Sequence, residues 1–195
     1  MPNPSGKQMQ NKGIEEKISL YRKCATEKSA VQQKKITESL LALMQIKPFE
    51  EITVTQLCQH ANVSRRVFYY LFSNINGALY ALLDSKILSD EIGGKSEVLE
   101  FFRYWKRQKV LLDVLDKNDM LGLLLERMLD RVLKEDYDVY HWLHSHGWQH
   151  NNRELIIFGF TGLMGLVYGW YYDGYQKEPE QLAAFVDDLM TPYLK

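Results

Sequence analysis

The sequence contains little cysteine and little proline, and each scarcity excludes a class of structure. Cys24 and Cys58 are the 2 cysteines among 195 residues, so neither a disulfide framework nor a paired set of zinc ligands is present. We therefore expect a protein of the reducing cytoplasm. None of the 5 prolines lies between residues 49 and 178, where strand-like alternation is also nearly absent. Helical segments are expected along most of the chain.

Several functional motifs are also missing. There is no Gly-rich phosphate loop, nucleophile elbow or suggestive pair of acids, so we expect no enzyme, no catalytic residues and no cofactor. Residues 1–13 lack the apolar stretch of a signal peptide and predict a flexible arm. Residues 14–35 have helix-forming composition with a sparse apolar stripe that includes Tyr21 and Ala25. They predict a weakly packed lead-in helix, with a dimer contact or a basic arm touching DNA as alternatives.

Charge is distributed unevenly along the chain, although the net charge is only −1. Residues 1–80 hold 11 Lys and Arg against 6 Asp and Glu, whereas the remainder holds 13 against 19. The N-terminal part is thus basic and the C-terminal part acidic. A basic part of this kind favours an anionic partner such as nucleic acid.

Residues 62–72, NVSRRVFYYLF, predict a short helix with two different faces. With Ser64 as its cap, Phe68, Leu71 and Phe72 fall on one side and require a core. The opposite side combines two fixed positive charges with two phenols, a set that suits DNA. Its residues are Arg65, Arg66, Tyr69 and Tyr70.

The residues just before this helix predict a second short helix. Thr53 is followed three residues later by Gln56, which is the spacing of a capping box. Asn62 stands between the two helices, and asparagine accepts the left-handed backbone that a tight turn requires. Two short helices with so short a turn predict a helix-turn-helix unit, in which the second helix enters the major groove.

Residues 52–79, ITVTQLCQHANVSRRVFYYLFSNINGAL, resemble the signature segment of the TetR family of transcriptional regulators. The preceding residues 34–53 resemble the first helix of that family and the loop after it, so the resemblance covers roughly 33–83. The sequence departs from the family at Asn62, where Gly is usual, at Leu71, where His or Tyr is usual, and at Ile75, near the place of a DNA-backbone lysine. The matching positions are Thr53, Val54, Leu57, Ala61, Val63, Ser64, Phe68, Tyr69, Phe72 and Leu79.

The resemblance implies an all-α homodimer with a three-helix DNA-binding domain over 31–83, a helical effector-binding and dimerisation domain over 84–195 and an N-terminal extension over 1–30. It further implies a near-palindromic operator, repression, and release from DNA by a small molecule. For phosphate contacts we predict Thr53, Thr55, Ser64 and Tyr69, and for base edges Arg65, Arg66 and Tyr70.

Residues 155–172 contain no charged side chain over 18 positions and have the length of a membrane span. We interpret them as a buried subunit interface, because small residues at helical spacing let two backbones approach closely. A membrane-associated helical protein is the alternative. The predicted interface residues are Gly162, Gly165, Gly169, Phe185 and Leu189.

Large apolar residues in the C-terminal part are candidates for an effector pocket, although such residues more often form plain core. They are Phe102, Tyr104, Trp105, Met120, Met128, Trp142 and Tyr168.

Residues 141–150, HWLHSHGWQH, pair His141 with His144 and His146 with His150 at helical spacing. We interpret these histidines as ordinary side chains at a helix end and predict no metal site. For these histidines, metal binding or a pH-dependent charge change is the alternative. For the protein as a whole, a further alternative is a small-molecule or metal-binding protein without specific DNA binding.

Overall fold

The computed structural model of the chain describes residues 20–22, 24–87, 97–134 and 153–190. Within these ranges the regular structure is helical, apart from one isolated antiparallel bridge between Tyr21 and Phe72. The all-α prediction is confirmed for this part of the chain. The helices are α1 Glu27–Ile46, α2 Val54–Ala61, α3 Arg65–Leu71, α4 Ile75–Ile87, α5 Glu97–Arg107, α6 Lys109–Lys117, α7 Leu121–Lys134, α8 Arg153–Tyr172 and α9 Pro179–Met190, with a short 3-10 helix over Phe49–Glu51.

Backbone contacts divide the chain into two compact units, residues 1–85 and 86–195. In the first unit α1 packs against both α2 and α3. Ile36, Leu40 and Met44 lie four residues apart on α1 and are fully buried, because that spacing places them on one face. Leu57 from α2 and Phe68 from α3 complete this core, so the two short helices are held by one long one.

Residues 20–22 do not continue α1 toward the N-terminus, so the predicted lead-in helix over 14–35 is wrong at this point. The helix begins only at Glu27, because Thr26 has extended backbone and forms a capping box with Ser29. Tyr21 instead pairs with Phe72 at the end of α3.

In the second unit α5 packs against α9, and α7 packs against α8. Residues 97–117 form two helices, since α5 ends at Arg107 and α6 begins at Lys109. Aromatic residues of α5 form the centre of the core, where Phe102 meets Trp170 of α8 edge-on at 5.9 Å between ring centroids.

In the described part of the chain, which includes all of α8, no helix is both long enough and apolar enough to cross a membrane.

Candidate nucleic-acid interface

The first helix of the predicted pair, α2, starts with the capping box that its sequence indicates. The Thr53 hydroxyl accepts a hydrogen bond from the Gln56 N–H at 3.2 Å, and the Gln56 side chain accepts one from the Thr53 N–H at 3.0 Å. The Lys47 ammonium donates to the same Gln56 side chain at 2.6 Å. The start of α2 is therefore fixed by side chains that are local in sequence.

The turn between α2 and α3 depends on a left-handed residue. Asn62 has φ 51° and ψ 50°, and the N–H of Val63 donates to the Cys58 carbonyl at 3.0 Å. Asparagine tolerates this conformation better than most residues with a Cβ.

Burial raises the pKa of the Cys58 thiol, with the nearby Arg65 charge acting in the opposite direction. Cys58 lies on the buried side of α2, with Leu57 and Ala61.

Helix α3 carries the surface with the features of a DNA-recognition helix. Ser64 caps it by accepting from the Val67 N–H at 3.2 Å. Phe68 and Leu71 are buried, whereas Tyr69 and Tyr70 are 51% and 57% exposed. A helix anchored by one apolar face thus presents its other face to solvent, as the spacing predicts.

The exposed face of α3 is cationic and aromatic. Both arginines are exposed, and no carboxylate in the described ranges forms an ion pair with Arg65 or Arg66. The Arg65 guanidinium lies 5.9 Å from the centroid of the Tyr69 ring. Because a guanidinium stacked on a ring keeps its N–H donors free, this arrangement suits hydrogen bonding to phosphates or to guanine.

The predicted DNA-contact residues fall into two groups. Ser64, Arg65, Arg66, Tyr69 and Tyr70 belong to α3 or its cap, whereas Thr53 and Thr55 belong to the cap and first turn of α2. Both threonines are exposed, although the Thr53 hydroxyl is occupied by its capping hydrogen bond. Their contacts with DNA stay predictions.

Sequence reasoning did not single out Arg22, which the fold brings to the same surface. Its guanidinium lies 5.1 Å from the centroid of the Tyr70 ring, and its backbone N–H donates to the Leu71 carbonyl at 2.9 Å. No local periodicity signals this contact, because the residues are some fifty positions apart.

The candidate pocket residues of the second unit are mostly core. Phe102, Tyr104 and Trp105 are almost completely buried, Met128 is buried, and Met120 and Tyr168 are half-buried. The Trp105 indole N–H is buried without a hydrogen-bond partner among the described residues. Trp142 lies outside the described ranges.

The candidate interface residues, by contrast, are exposed. A Cβ added at Gly162, Gly165 or Gly169 would meet nothing within 4 Å. Phe185 and Leu189 of α9 are both about half exposed. Among the described residues, none covers these positions.

No group of three or more potential metal ligands occurs in the part of the chain that the structure describes. The histidines of residues 141–150 lie outside that part.

Fold and surface together define a helix-turn-helix protein with a second helical unit. The chain is 30% identical over 128 residues to the HTH-type dhaKLM operon transcriptional activator DhaS of Lactococcus lactis subsp. lactis (strain IL1403), covering 59% of this chain and 68% of that protein. It belongs to the family of helix-turn-helix transcriptional regulators that contains this activator. No protein-family model matches the chain, and no solved structure matches it significantly.

Proposed function

We propose that this chain is a sequence-specific DNA-binding regulator of the TetR type that acts as a homodimer. The carrying observation is the exposed face of α3, which combines Arg65 and Arg66, without carboxylate partners in the described ranges, with two half-exposed tyrosines. Cationic and hydroxyl groups on a capped helix of a helix-turn-helix unit match what the major groove offers. A regulator of this kind works on the chromosome, so we expect it in the cytoplasm.

In this proposal residues 31–83 form the DNA-binding domain, residues 84–195 the effector-binding and dimerisation domain, and residues 1–30 an extension. The division of backbone contacts between residues 85 and 86 supports this boundary. Arg65, Arg66 and Tyr70 contact base edges. Thr53, Thr55, Ser64 and Tyr69 contact phosphates and set the orientation of α3.

The experiment that tests DNA recognition is selection of bound duplexes from a random pool, followed by titration at several salt concentrations. We expect an inverted repeat that is preferred over a scrambled duplex by about a thousandfold or more. Arg65→Ala and Arg66→Ala should each cost about 1–3 kcal/mol on that duplex and relax discrimination at one position. Tyr69→Phe should weaken all sequences about equally. Equal losses on every sequence for the arginine variants would contradict their assignment to bases.

Homodimerisation is supported by an apolar stripe on α8 with no covering residue among those described. Phe158 and Tyr172 are 73% and 65% exposed, and exposed Gly162, Gly165 and Gly169 lie between them at helical spacing. Glycine in a helix costs roughly 0.5–1 kcal/mol relative to alanine, so a second copy whose backbone approaches closely explains the stripe. Phe185 and Leu189 add exposed apolar surface on α9.

The dimer is tested by sedimentation equilibrium of Gly165→Glu against Gly122→Glu. Both glycines are exposed on helices, and neither Cβ would meet a neighbour within 4 Å. We expect the Gly165 variant to be a monomer with weakened operator binding and the Gly122 variant to remain a dimer. A dimeric Gly165→Glu protein would exclude close packing at this stripe.

Response to a small molecule is a further part of the proposal. Two buried polar atoms, the Trp105 indole N–H and the Tyr175 hydroxyl, have no hydrogen-bond partner among the described residues, and an effector could supply one. A compound that raises the thermal midpoint and changes operator affinity would identify an effector. A Trp105→Phe variant should bind it more weakly if the indole N–H donates to it.

The sign of regulation has two candidates. The TetR resemblance implies repression, which we expect, whereas the relative DhaS is named an activator. Both roles use the same DNA-binding step. A reporter gene behind the selected operator distinguishes them, because deletion of the regulator raises expression under repression and lowers it under activation.

A further inference from the structure

A short segment, residues 20–22, is hydrogen-bonded to the C-terminal end of α3, and we call it the strap. The Arg22 N–H donates to the Leu71 carbonyl at 2.9 Å, and the Ser73 N–H donates to the Leu20 carbonyl at 3.0 Å. These two bonds satisfy backbone groups at the end of α3 that the helix itself leaves open. The strap therefore belongs to the first unit although it precedes α1.

Two further features accommodate the strap. The Tyr21 hydroxyl donates to the carboxylate of Asp84, a buried residue of α4. Without the strap in place, this carboxylate would lose a hydrogen-bond donor. Gly77 lies beside the Leu20 carbonyl, where a Cβ would be only 2.2 Å from the oxygen. Any larger residue at position 77 would therefore displace the strap backbone.

The strap holds one cation at the edge of the DNA-facing surface. Arg22 is exposed, and its guanidinium lies 5.1 Å from the centroid of the exposed Tyr70 ring. No carboxylate within the described residues forms an ion pair with it. A stacked guanidinium has a restricted position and free donors, which are the properties of a phosphate ligand.

We propose that Arg22 binds a phosphate of the DNA backbone and that the strap positions it there. This role rests on the proposed function, because it adds a further phosphate contact beside the face of α3. A backbone contact carries no sequence information, so its loss weakens binding to all duplexes alike. Arg22 thereby differs in its expected phenotype from Arg65 and Arg66.

The first test is titration of Arg22→Ala on the duplex selected by the wild-type protein and on a scrambled duplex. We expect about a fivefold loss per DNA-binding unit at 0.15 M salt, equal on both duplexes, and a salt slope reduced by about 0.9 per unit. Arg107→Ala is the matched control, because its guanidinium also lies against a tyrosine ring, at 5.9 Å from the Tyr104 centroid, but in the other unit. It should leave affinity and slope unchanged.

The second test asks whether the strap positions Arg22. Gly77→Ala should fold, since alanine favours a helix, but should displace the strap and reproduce the Arg22→Ala loss. Adding Arg22→Ala to Gly77→Ala should then cause no further loss. Gly122→Ala, whose Cβ meets nothing within 4 Å, controls for a helical Gly-to-Ala change.

The outcomes separate the two proposals. If the wild-type protein selects no duplex, the proposed function fails and the phosphate role fails with it. If it selects a duplex that Arg22→Ala binds with wild-type affinity and salt slope, only the phosphate role is overturned. Additive losses in Arg22→Ala/Gly77→Ala, or wild-type binding by Gly77→Ala, would overturn the positioning role of the strap.

Discussion

Ser64 offers a perturbation that separates the stability of α3 from its affinity for DNA. Its exposed hydroxyl accepts from the Val67 N–H at 3.2 Å. Ser64→Ala removes this acceptor and should cost about 1 kcal/mol, which lowers the thermal midpoint by roughly 4–8 °C for a unit of this size. Ser64→Asp keeps an acceptor and adds a negative charge at a helix N-terminus, where such a charge is favourable. Its stability should stay within about 0.5 kcal/mol of the wild-type value.

For DNA affinity, the expected order of the two Ser64 variants is the reverse of their order in stability. If Ser64 lies against a phosphate, the carboxylate of Ser64→Asp meets a like charge at a few ångströms. The repulsion costs about 1 kcal/mol at the dielectric constant of water and about 4 kcal/mol at the lower effective value near a protein surface. That is a loss of roughly fivefold to a thousandfold in affinity. Ser64→Ala loses only one neutral hydrogen bond and should bind a few-fold more weakly.

The assay pairs thermal unfolding followed by circular dichroism with fluorescence anisotropy on the selected duplex. Below the midpoint of either variant, the less stable Ser64→Ala protein should bind more tightly than the more stable Ser64→Asp protein. Wild-type affinity of Ser64→Asp would refute a phosphate at this position. An unchanged midpoint for Ser64→Ala would refute the contribution of the cap.

Three further predictions concern folding. Phe102→Ala should cost about 3–5 kcal/mol in urea unfolding, because the ring is fully buried and packs on Trp170; a loss below about 1 kcal/mol would contradict that packing. Asn62→Val should cost about 1–2 kcal/mol at its left-handed position while Asn62→Gly should not, and equal midpoints would contradict the turn. Arg103 lowers the pKa of Glu180 below its ordinary value of 4.5, chiefly through their hydrogen bond. The Arg103–Glu180 pair thus stabilises the fold above that value, and this contribution is lost as pH falls through the lowered pKa of Glu180. In Glu180→Gln, the thermal unfolding midpoints at pH 7 and pH 3 should therefore lie closer together than in the wild type.

The helix-turn-helix unit could be predicted because its determinants are local in sequence. Thr53 and Gln56 are three residues apart, as are Ser64 and the N–H that it caps, and both caps form as predicted. Asn62 marks the turn because asparagine itself accepts the left-handed backbone conformation. The division of α3 into a buried and an exposed face follows from helical spacing alone. No long-range information was needed for any of these features.

The second unit was less predictable because periodicity identifies an apolar face without identifying its partner. Phe102 and Tyr104 are candidates for a pocket by residue type, although such residues more often form plain core, and both are buried in the core of the unit. Whether Trp105 contributes to an effector site depends on what approaches its indole N–H. Residues 141–150 lie outside the described ranges, so the interpretation of their histidines stays a prediction.

The strap illustrates why the helix predicted over residues 14–35 is wrong at residues 20–22. Tyr21 and Ala25 are four residues apart, a spacing that favours a helix. A capping interaction just after Ala25 and a long-range interaction of Tyr21 outweigh this preference. The capping box of Thr26 starts α1 at Glu27, and Tyr21 finds its partner in Asp84, 63 residues away. One local signal is present, since Gly77 lies in a helical run and small residues in a helix let another backbone approach closely. The approaching backbone is that of Leu20, so the glycine on α4 and the arginine of the strap are expected to act on DNA affinity through one contact.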